Sequence, residues 1–386
     1  MSRPRRARQK EKHMTRLSKL APALLLLLTT SATLRVQAEA LQKAPAAPSA
    51  DTISVSDPVV VAPNDDIQPI RIPWLPQHPH KTIAAPVMMV VNGSARYWLH
   101  SALNNHAKFV GGYDRPLKKQ LWQQTDSELF TGVGDVSAAL WIVNTYQNEE
   151  GVLAFIHVEH PTVTNGKYNA GRGRIALAWS PGATGDHFVY LGNIITPHAD
   201  TEGYNIQGAP YLIKDGYFYV FYKENCETRG NNAVARAPVS DVIESAKADR
   251  MAQWKKYYAG GWESDGDGGA CTAISIEDGI NHTDAAYSTY TGKFYLLMSR
   301  MNWKGRNTYI KLYESHDILN WRHVKTIVDQ PAAEVKSGYQ YVSIINDIGP
   351  KNGVVGKHFY VYSGKDPEIS DHEGSVLLRW SVDLAK

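Results

Sequence analysis

Cysteine is scarce in this chain: Cys226 and Cys271 are the only two in 386 residues. That excludes a small disulfide-built scaffold and any zinc site made mainly of thiolates. In an oxidising compartment the pair predicts one disulfide closing a loop of 45 residues, with two unrelated free thiols as the alternative. Long hydrophobic runs are missing as well. The longest, Ala21 to Leu28, falls far short of the ~20 residues that cross a bilayer as a helix. Basic blocks are absent after the first forty residues, which sets nucleic acid aside as a partner. The formal charge of +3 sits largely in that N-terminal stretch, and the remainder is near neutral or slightly acidic. Helical patterning is rare too; only Val239 to about Trp254 carries it.

The N-terminal stretch has the form of an export signal. Arg16 and Lys19 precede the apolar Ala21–Leu28 core, and Val36-Gln37-Ala38 follows as a small-x-small cleavage pattern. Residues 1–38 are therefore read as a signal peptide, with Met14 as an alternative start, and the mature chain as secreted or periplasmic, with no membrane span after cleavage. Residues 39–84 carry prolines at 45, 48, 58, 63, 69, 73, 76 and 79. Such density forbids helix and weakens strand pairing, so this stretch reads as a linker ending in an ordered lead-in around Ile70–Trp74.

Residues 85–386 repeat one phrase. Its clearest copy runs from Gln207-Gly208-Ala209-Pro210-Tyr211-Leu212-Ile213-Lys214 through Asp215-Gly216 into Tyr217-Phe218-Tyr219-Val220-Phe221-Tyr222. Two β-rich flanks around Asp-Gly predict a hairpin, because Asp-Gly accepts the positive φ of a tight turn. Altered copies lie at Val136–Val158, Ala285–Arg300 and Tyr341–Ser363, and a degenerate one at Pro86–Phe130 with Tyr97–His100 as its second strand. A third apolar strand follows each hairpin, and Phe188–Gly192 and Trp321–Val324 supply a fourth. The spacing between equivalent aromatic strands is 64, 77 and 65 residues, the 77 reflecting an insertion at Val239–Ala270. Five such units predict an all-β fold, a five-bladed β-propeller of four-stranded blades, and a monomer. A two-sheet sandwich is the alternative, but it needs no such period.

Propeller geometry says where chemistry belongs. The start of each innermost strand and the end of each second strand share one face, so residues there converge on a central mouth. Those positions hold His100 in the first unit, Asp135, Glu159 and His160 in the second, and Gln207 and Glu224 in the third. His282, Asp284 and Arg300 occupy them in the fourth, and Tyr341, Ser343, Lys365 and Asp366 in the fifth. Paired carboxylates at a mouth suit cleavage of a glycosidic bond, one donating a proton to the leaving oxygen while the other activates water. Histidines and an arginine beside them would bind sugar hydroxyls, and Trp141, Tyr204, Tyr287 or Trp303 would stack on sugar faces. Trp141 also fits packing between blades. A metal site built from His100, His160 and His282 is a further reading. The run Glu263-Ser264-Asp265-Gly266-Asp267-Gly268-Gly269 offers oxygen ligands for a structural Ca²⁺, but it lacks the closing Glu of a calcium loop and reads better as a solvated loop tip. No organic cofactor is implied.

The blade phrases from Gly208 to Tyr222, together with Ala178-Trp179-Ser180 and Tyr313-Glu314-Ser315-His316-Asp317-x-x-x-Trp321, resemble the five-bladed β-propeller glycoside hydrolases, the superfamily of family 43-like arabinanases, β-xylosidases and fructosidases. The resemblance covers about residues 85–386. It implies an Asp base in an early blade, a second Asp that orients and tunes, and a Glu acid directly before the Gly-Pro or Ala-Pro of a middle blade. Asp135 and Asp284 match the two aspartates. The acid's place holds Gln207-Gly208-Ala209-Pro210, without a carboxylate. Glu159 is the first choice of acid, ahead of Glu224 and Glu202, with His100, His160, Gln207, Glu224, His282, Arg300, Tyr341 and Asp366 as substrate-binding groups. The expected activity is hydrolysis of a poly- or oligosaccharide, and the alternative is a carbohydrate-binding propeller that does not cleave.

Overall fold

The computed structural model of the chain describes residues 53–61, 87–91, 95–102, 105–112, 116–134, 139–159, 162–164, 167–169, 173–182, 184–198, 206–226, 232–276, 282–300, 307–331, 338–346, 353–365 and 376–384. The hairpin predicted at Asp215-Gly216 forms as expected. Asp215 and Gly216 hold φ of 50° and 77°, and Lys214 pairs with Tyr217 across them. Two positive φ values in succession give the turn the twist of its strands.

Such hairpins start the larger sheets, which follow one another along the chain. The first holds Val87–Val91, Ala95–Ala102, Asn105–Val110 and Lys119–Thr125. The second holds Ala139–Gln147, Gly151–Glu159, Arg174–Pro181 and Phe188–Ile195, with Phe130–Thr131 on its outer edge. The third runs through Gln207–Lys214, Tyr217–Lys223, Asn232–Pro238, Lys255–Tyr258 and Gly261–Asp265. The fourth holds His282–Ser288, Lys293–Arg300, Thr308–Ser315 and Arg322–Gln330, with Val354–Val355 beside its first strand. The fifth is built from Tyr339–Asn346, His358–Lys365 and Val376–Leu384. The first strands of neighbouring sheets pack on one another from the first sheet to the fifth by way of Ala139–Gln147, Gln207–Lys214 and His282–Ser288. The arrangement is that of an all-β propeller, in which four blades stand out.

Burial on both faces explains the near-continuous apolar strands. In the third sheet Phe218, Val220 and Tyr222 pack with Phe155 of the second. Their alternates Tyr219 and Phe221 pack with Leu296 and Met298 of the fourth. Period-two alternation places successive side chains on opposite faces, and here both faces are core. Phe155 stacks on Tyr211 with centroids 4.7 Å apart. Cys226 and Cys271 form the disulfide, their Cα atoms 5.0 Å apart, which removes the free-thiol alternative.

Three expectations need correction. The helix covers Val239–Lys247 rather than reaching Trp254. Asp249 then turns the chain at φ 53°, and burial of Trp254 and Lys256 pulls the next residues into the sheet. The fourth and fifth strands of the third sheet therefore lie inside the supposed insertion, and Glu263 to Asp265 belong to an edge strand rather than a loop tip. Within the stretch read as a linker, Ile53–Val55 and Val59–Val61 pair antiparallel with the C-terminal strand Val376–Leu384. Pro58 falls between the two short strands, where no ladder hydrogen bond is needed from it. Ser56 bridges the gap: its N–H donates to the Ser381 carbonyl at 3.0 Å, and its Oγ accepts from the Ser381 N–H at 2.9 Å. Ile70–Trp74 lies outside the described residues.

Candidate functional site

The second sheet presents a cluster at the end where its innermost strand begins. Ala139 pairs with Glu159 and Trp141 with His157. Directly opposed residues of an antiparallel pair share a face, and so do residues two apart on one strand, so Glu159, His157 and Trp141 stand on one face. The His157 Nε2 lies 3.2 Å from Glu159 Oε1. The Glu159 side chain is 13% exposed, while His157 and Trp141 are each 8% exposed. His157 Nδ1 and Trp141 Nε1 are buried without a hydrogen-bond partner. Tyr341 reaches across from the fifth sheet and stacks on Trp141, with centroids 5.7 Å apart and planes 22° apart. Tyr341 holds φ 56° inside a register shift of its strand. A bulky residue in that region is strained and held by its surroundings, as happens where a bulge re-aims a side chain. Glu159 is anchored at this rim.

Asp284 occupies a different place. It is 2% exposed and lies in the interior where three inner strands meet. Asn144 Nδ2 donates to its Oδ1 at 2.9 Å, the Ala285 N–H to the same oxygen at 2.9 Å, and the Ile344 N–H to Oδ2 at 2.7 Å. Tyr211 stands nearby, its hydroxyl donating to the Thr145 carbonyl at 2.9 Å. Burial, and then the Asp284 charge, push that phenol well above its ordinary pKa. Glu159 and Asp284 thus attach to the strand Ala139–Gln147 at positions five residues apart, Ala139 and Asn144. At the rise of a strand that is on the order of 15 Å along the chain.

Glu224 is fully buried in an ion cluster of the third sheet. Lys256 Nζ donates to its Oε2 at 2.8 Å and to the carbonyls of Thr196 and Gly269, both at 2.7 Å. The His198 N–H donates to Oε1 at 2.8 Å. Burial lowers the Lys256 pKa against the opposing pull of Glu224. Glu224 is held among internal partners beside the disulfide-bonded Cys226.

Gln207 opens the inner strand of the third sheet opposite Lys223 and is half-buried. The Arg300 guanidinium lies 6.0 Å from the centroid of the Tyr309 ring. His100 pairs with Ala107 and His282 with Ser299; their side chains fall outside what the structure describes. Asp135, His160 and Asp366 lie outside the described residues, as do Glu202, Tyr204 and Trp303. Asp265 is paired with Lys255 at 2.7 Å, and Asp267 accepts from Thr196 Oγ1 at 2.5 Å. Among the described residues no three His, Cys, Asp or Glu side chains are grouped to hold a metal ion.

Two supporting residues escape the sequence reading. Asn144 connects the second sheet to Asp284, 140 residues away in the chain. His157 is legible in principle, since it lies two residues before Glu159 on the same strand face. A buried pair supports the same strand from behind: His106 Nε2 lies 2.6 Å from Asp126 Oδ1, and Asp126 Oδ2 accepts from the Leu140 N–H at 3.0 Å.

No protein-family model matches the chain, and no curated protein matches its sequence. Its likeness is to solved structures. The catalytic domain of the Coprinopsis cinerea GH62 alpha-L-arabinofuranosidase superposes with a TM-score of 0.52 at 9% identity, over 86% of this chain and 96% of that one. The fold is that of the propeller glycoside hydrolases. A family 117 glycoside hydrolase from the marine bacterium Zobellia galactanivorans scores 0.49 at 9% identity, over 86% of this chain and 91% of that one. A GH62 hydrolase in complex with xylotriose scores 0.48 at 10% identity, over 86% and 97%.

Proposed function

We propose that the chain is an exported, monomeric glycoside hydrolase on a five-bladed propeller, cleaving a glycosidic bond in a poly- or oligosaccharide. The observation that carries this reading is Glu159 at the rim of the second sheet. Its half-buried carboxyl is held by His157 beside the Trp141–Tyr341 stack, within a fold shared with a GH62 arabinofuranosidase. The succession of five larger sheets supports the count of five blades.

In this reading Glu159 is the acid and Asp135, four residues before Ala139, the base. Asp135 takes a proton from water as the water oxygen bonds to the anomeric carbon. The bond from that carbon to the leaving oxygen breaks, and the leaving oxygen receives the proton of Glu159. One water is consumed and two hydroxyl ends result, so no oxidant, reductant or organic cofactor enters. Asp284 acts at a distance, as an orienting carboxylate whose bonds fix the inner strands. His100, His160, Gln207, His282, Arg300, Tyr341 and Asp366 complete the mouth, while Glu224, expected among them, is buried against Lys256 and acts only through the backbone it anchors.

A second reading, a carbohydrate-binding propeller that does not cleave, draws on the internal bonding of Asp284 and Glu224 and on Gln207 standing where a carboxylate is expected. Carboxylates that serve as internal bonds are structural. A glycan-hydrolysis screen of the wild type beside Asp135→Asn, Glu159→Gln and Asp284→Asn separates the two. Hydrolysis lost in Asp135→Asn and Glu159→Gln supports the enzyme. Glycan binding without hydrolysis supports the second reading, and full activity in all three variants removes the site assignment.

A further inference from the structure

His157 takes up buried space at a position where an apolar side chain would fit. Its strand neighbours Phe155, Ile156 and Val158 are fully buried, and its Nδ1 is buried without a partner. An orphaned nitrogen in a core destabilises the fold, so an imidazole kept there needs a reason other than packing. Its other nitrogen supplies one, 3.2 Å from Glu159 Oε1. A carboxyl that keeps its proton on the other oxygen still accepts at Oε1, so the contact calls for the hydrogen on Nε2, and Nδ1 is left as the bare acceptor. The roots of the two side chains sit two residues apart on one face, and Trp141 stands directly across from the imidazole.

We propose that His157 is the positioning residue of Glu159, donating from Nε2 to fix one carboxyl oxygen so that the sheet, rather than the free torsions of the glutamate, sets the direction of proton delivery. The proposal rests on Glu159 being the acid. A carboxyl on two rotatable carbons at a partly solvated rim samples several orientations, and a misplacement of ~1 Å is enough to slow a proton transfer by about 10²-fold.

The test compares wild type with His157→Leu, His157→Gln and Glu159→Gln for kcat and KM on xylotriose and arabinofuranosyl oligosaccharides, with urea unfolding of each. Glu159→Gln should lose hydrolysis. His157→Leu should lose kcat by about 10²-fold, with KM little changed and an unfolding midpoint that holds or rises. His157→Gln presents an N–H near the place of Nε2 and should recover about tenfold of that loss, since Oε1 of the carboxyl again has a donor. A His157→Leu variant with wild-type kcat, beside a dead Glu159→Gln, overturns this inference and leaves the proposed function standing. A fully active Glu159→Gln overturns both. Independently of turnover, ¹⁵N spectra of the wild type should show His157 with its hydrogen on Nε2 and a ring shift in Glu159→Gln. An Nδ1–H form indifferent to that substitution refutes the proposal even if the leucine variant fails to fold.

Discussion

Asp284 accepts from Asn144, from its own following amide and from Ile344, joining three inner strands through one carboxyl group. Removing it would leave buried donors unmatched, each costing about 1–3 kcal/mol. Asp284→Ala should therefore lower stability by about 3–5 kcal/mol in urea unfolding. Two other carboxylates report on acid. Burial pushes Asp186 up, but hydrogen bonds from Lys108 and Trp122 and the Lys108 charge outweigh it and hold it below its ordinary pKa. Burial also acts against Asp317, where bonds from Asn320, Leu319 and Ser315 prevail and keep it low. A depressed carboxylate contributes fully above its unfolded pKa and loses that contribution as pH falls through its folded one. The melting temperature should accordingly drop below about pH 4, and Asp186→Asn with Asp317→Asn should flatten the drop.

Among whole elements, the Asp215-Gly216 hairpin is fully legible in the sequence, because turn chemistry and strand alternation are local properties. Gly216 has open space around the position of a Cβ and φ of 77°, so Gly216→Ala should cost only backbone strain, about 1 kcal/mol, read in the unfolding midpoint. The Ser315–Trp321 segment is legible for a similar reason. Ser315 Oγ accepts from the Ile318 amide at 2.8 Å, Asp317 Oδ1 from the Asn320 amide at 2.8 Å, and Trp321 Nε1 donates to the Ile318 carbonyl at 2.9 Å. That part of the family likeness is turn architecture, which explains why it points to a fold more firmly than to catalytic residues. Strand Lys255–Tyr258 is hidden because its partner Asn232–Pro238 lies beyond a helix and Lys256 carries its charge into the core, as only a lysine with Glu224 waiting for it can, and Gly261–Asp265 pairs with that hidden strand. Asp284 takes bonds from two other strands, which no local pattern announces, whereas Glu159 and His157 lie two residues apart on one strand, where a local pattern can show them. The disulfide follows from compartment logic. Replacing Cys226 and Cys271 with serine should remove about 2–4 kcal/mol, measured by unfolding under oxidising conditions.

At the scale of the molecule, the sheets gain stability by sharing faces, so each depends on its neighbours. The fifth depends also on the first described strands, Ile53–Val55 and Val59–Val61, which cover the edge of Val376–Leu384. Deleting residues 53–61 should expose that edge, lower the melting temperature and promote aggregation seen by light scattering. Ser56 and Ser381 are 325 residues apart in the chain. A ribosome or export channel that delivers the N-terminal end first releases Ser56 long before Ser381 exists outside it. The stitch joining them therefore waits for a further 325 residues to emerge, and any chaperone acting on this protein has a late, unsealed form to guard.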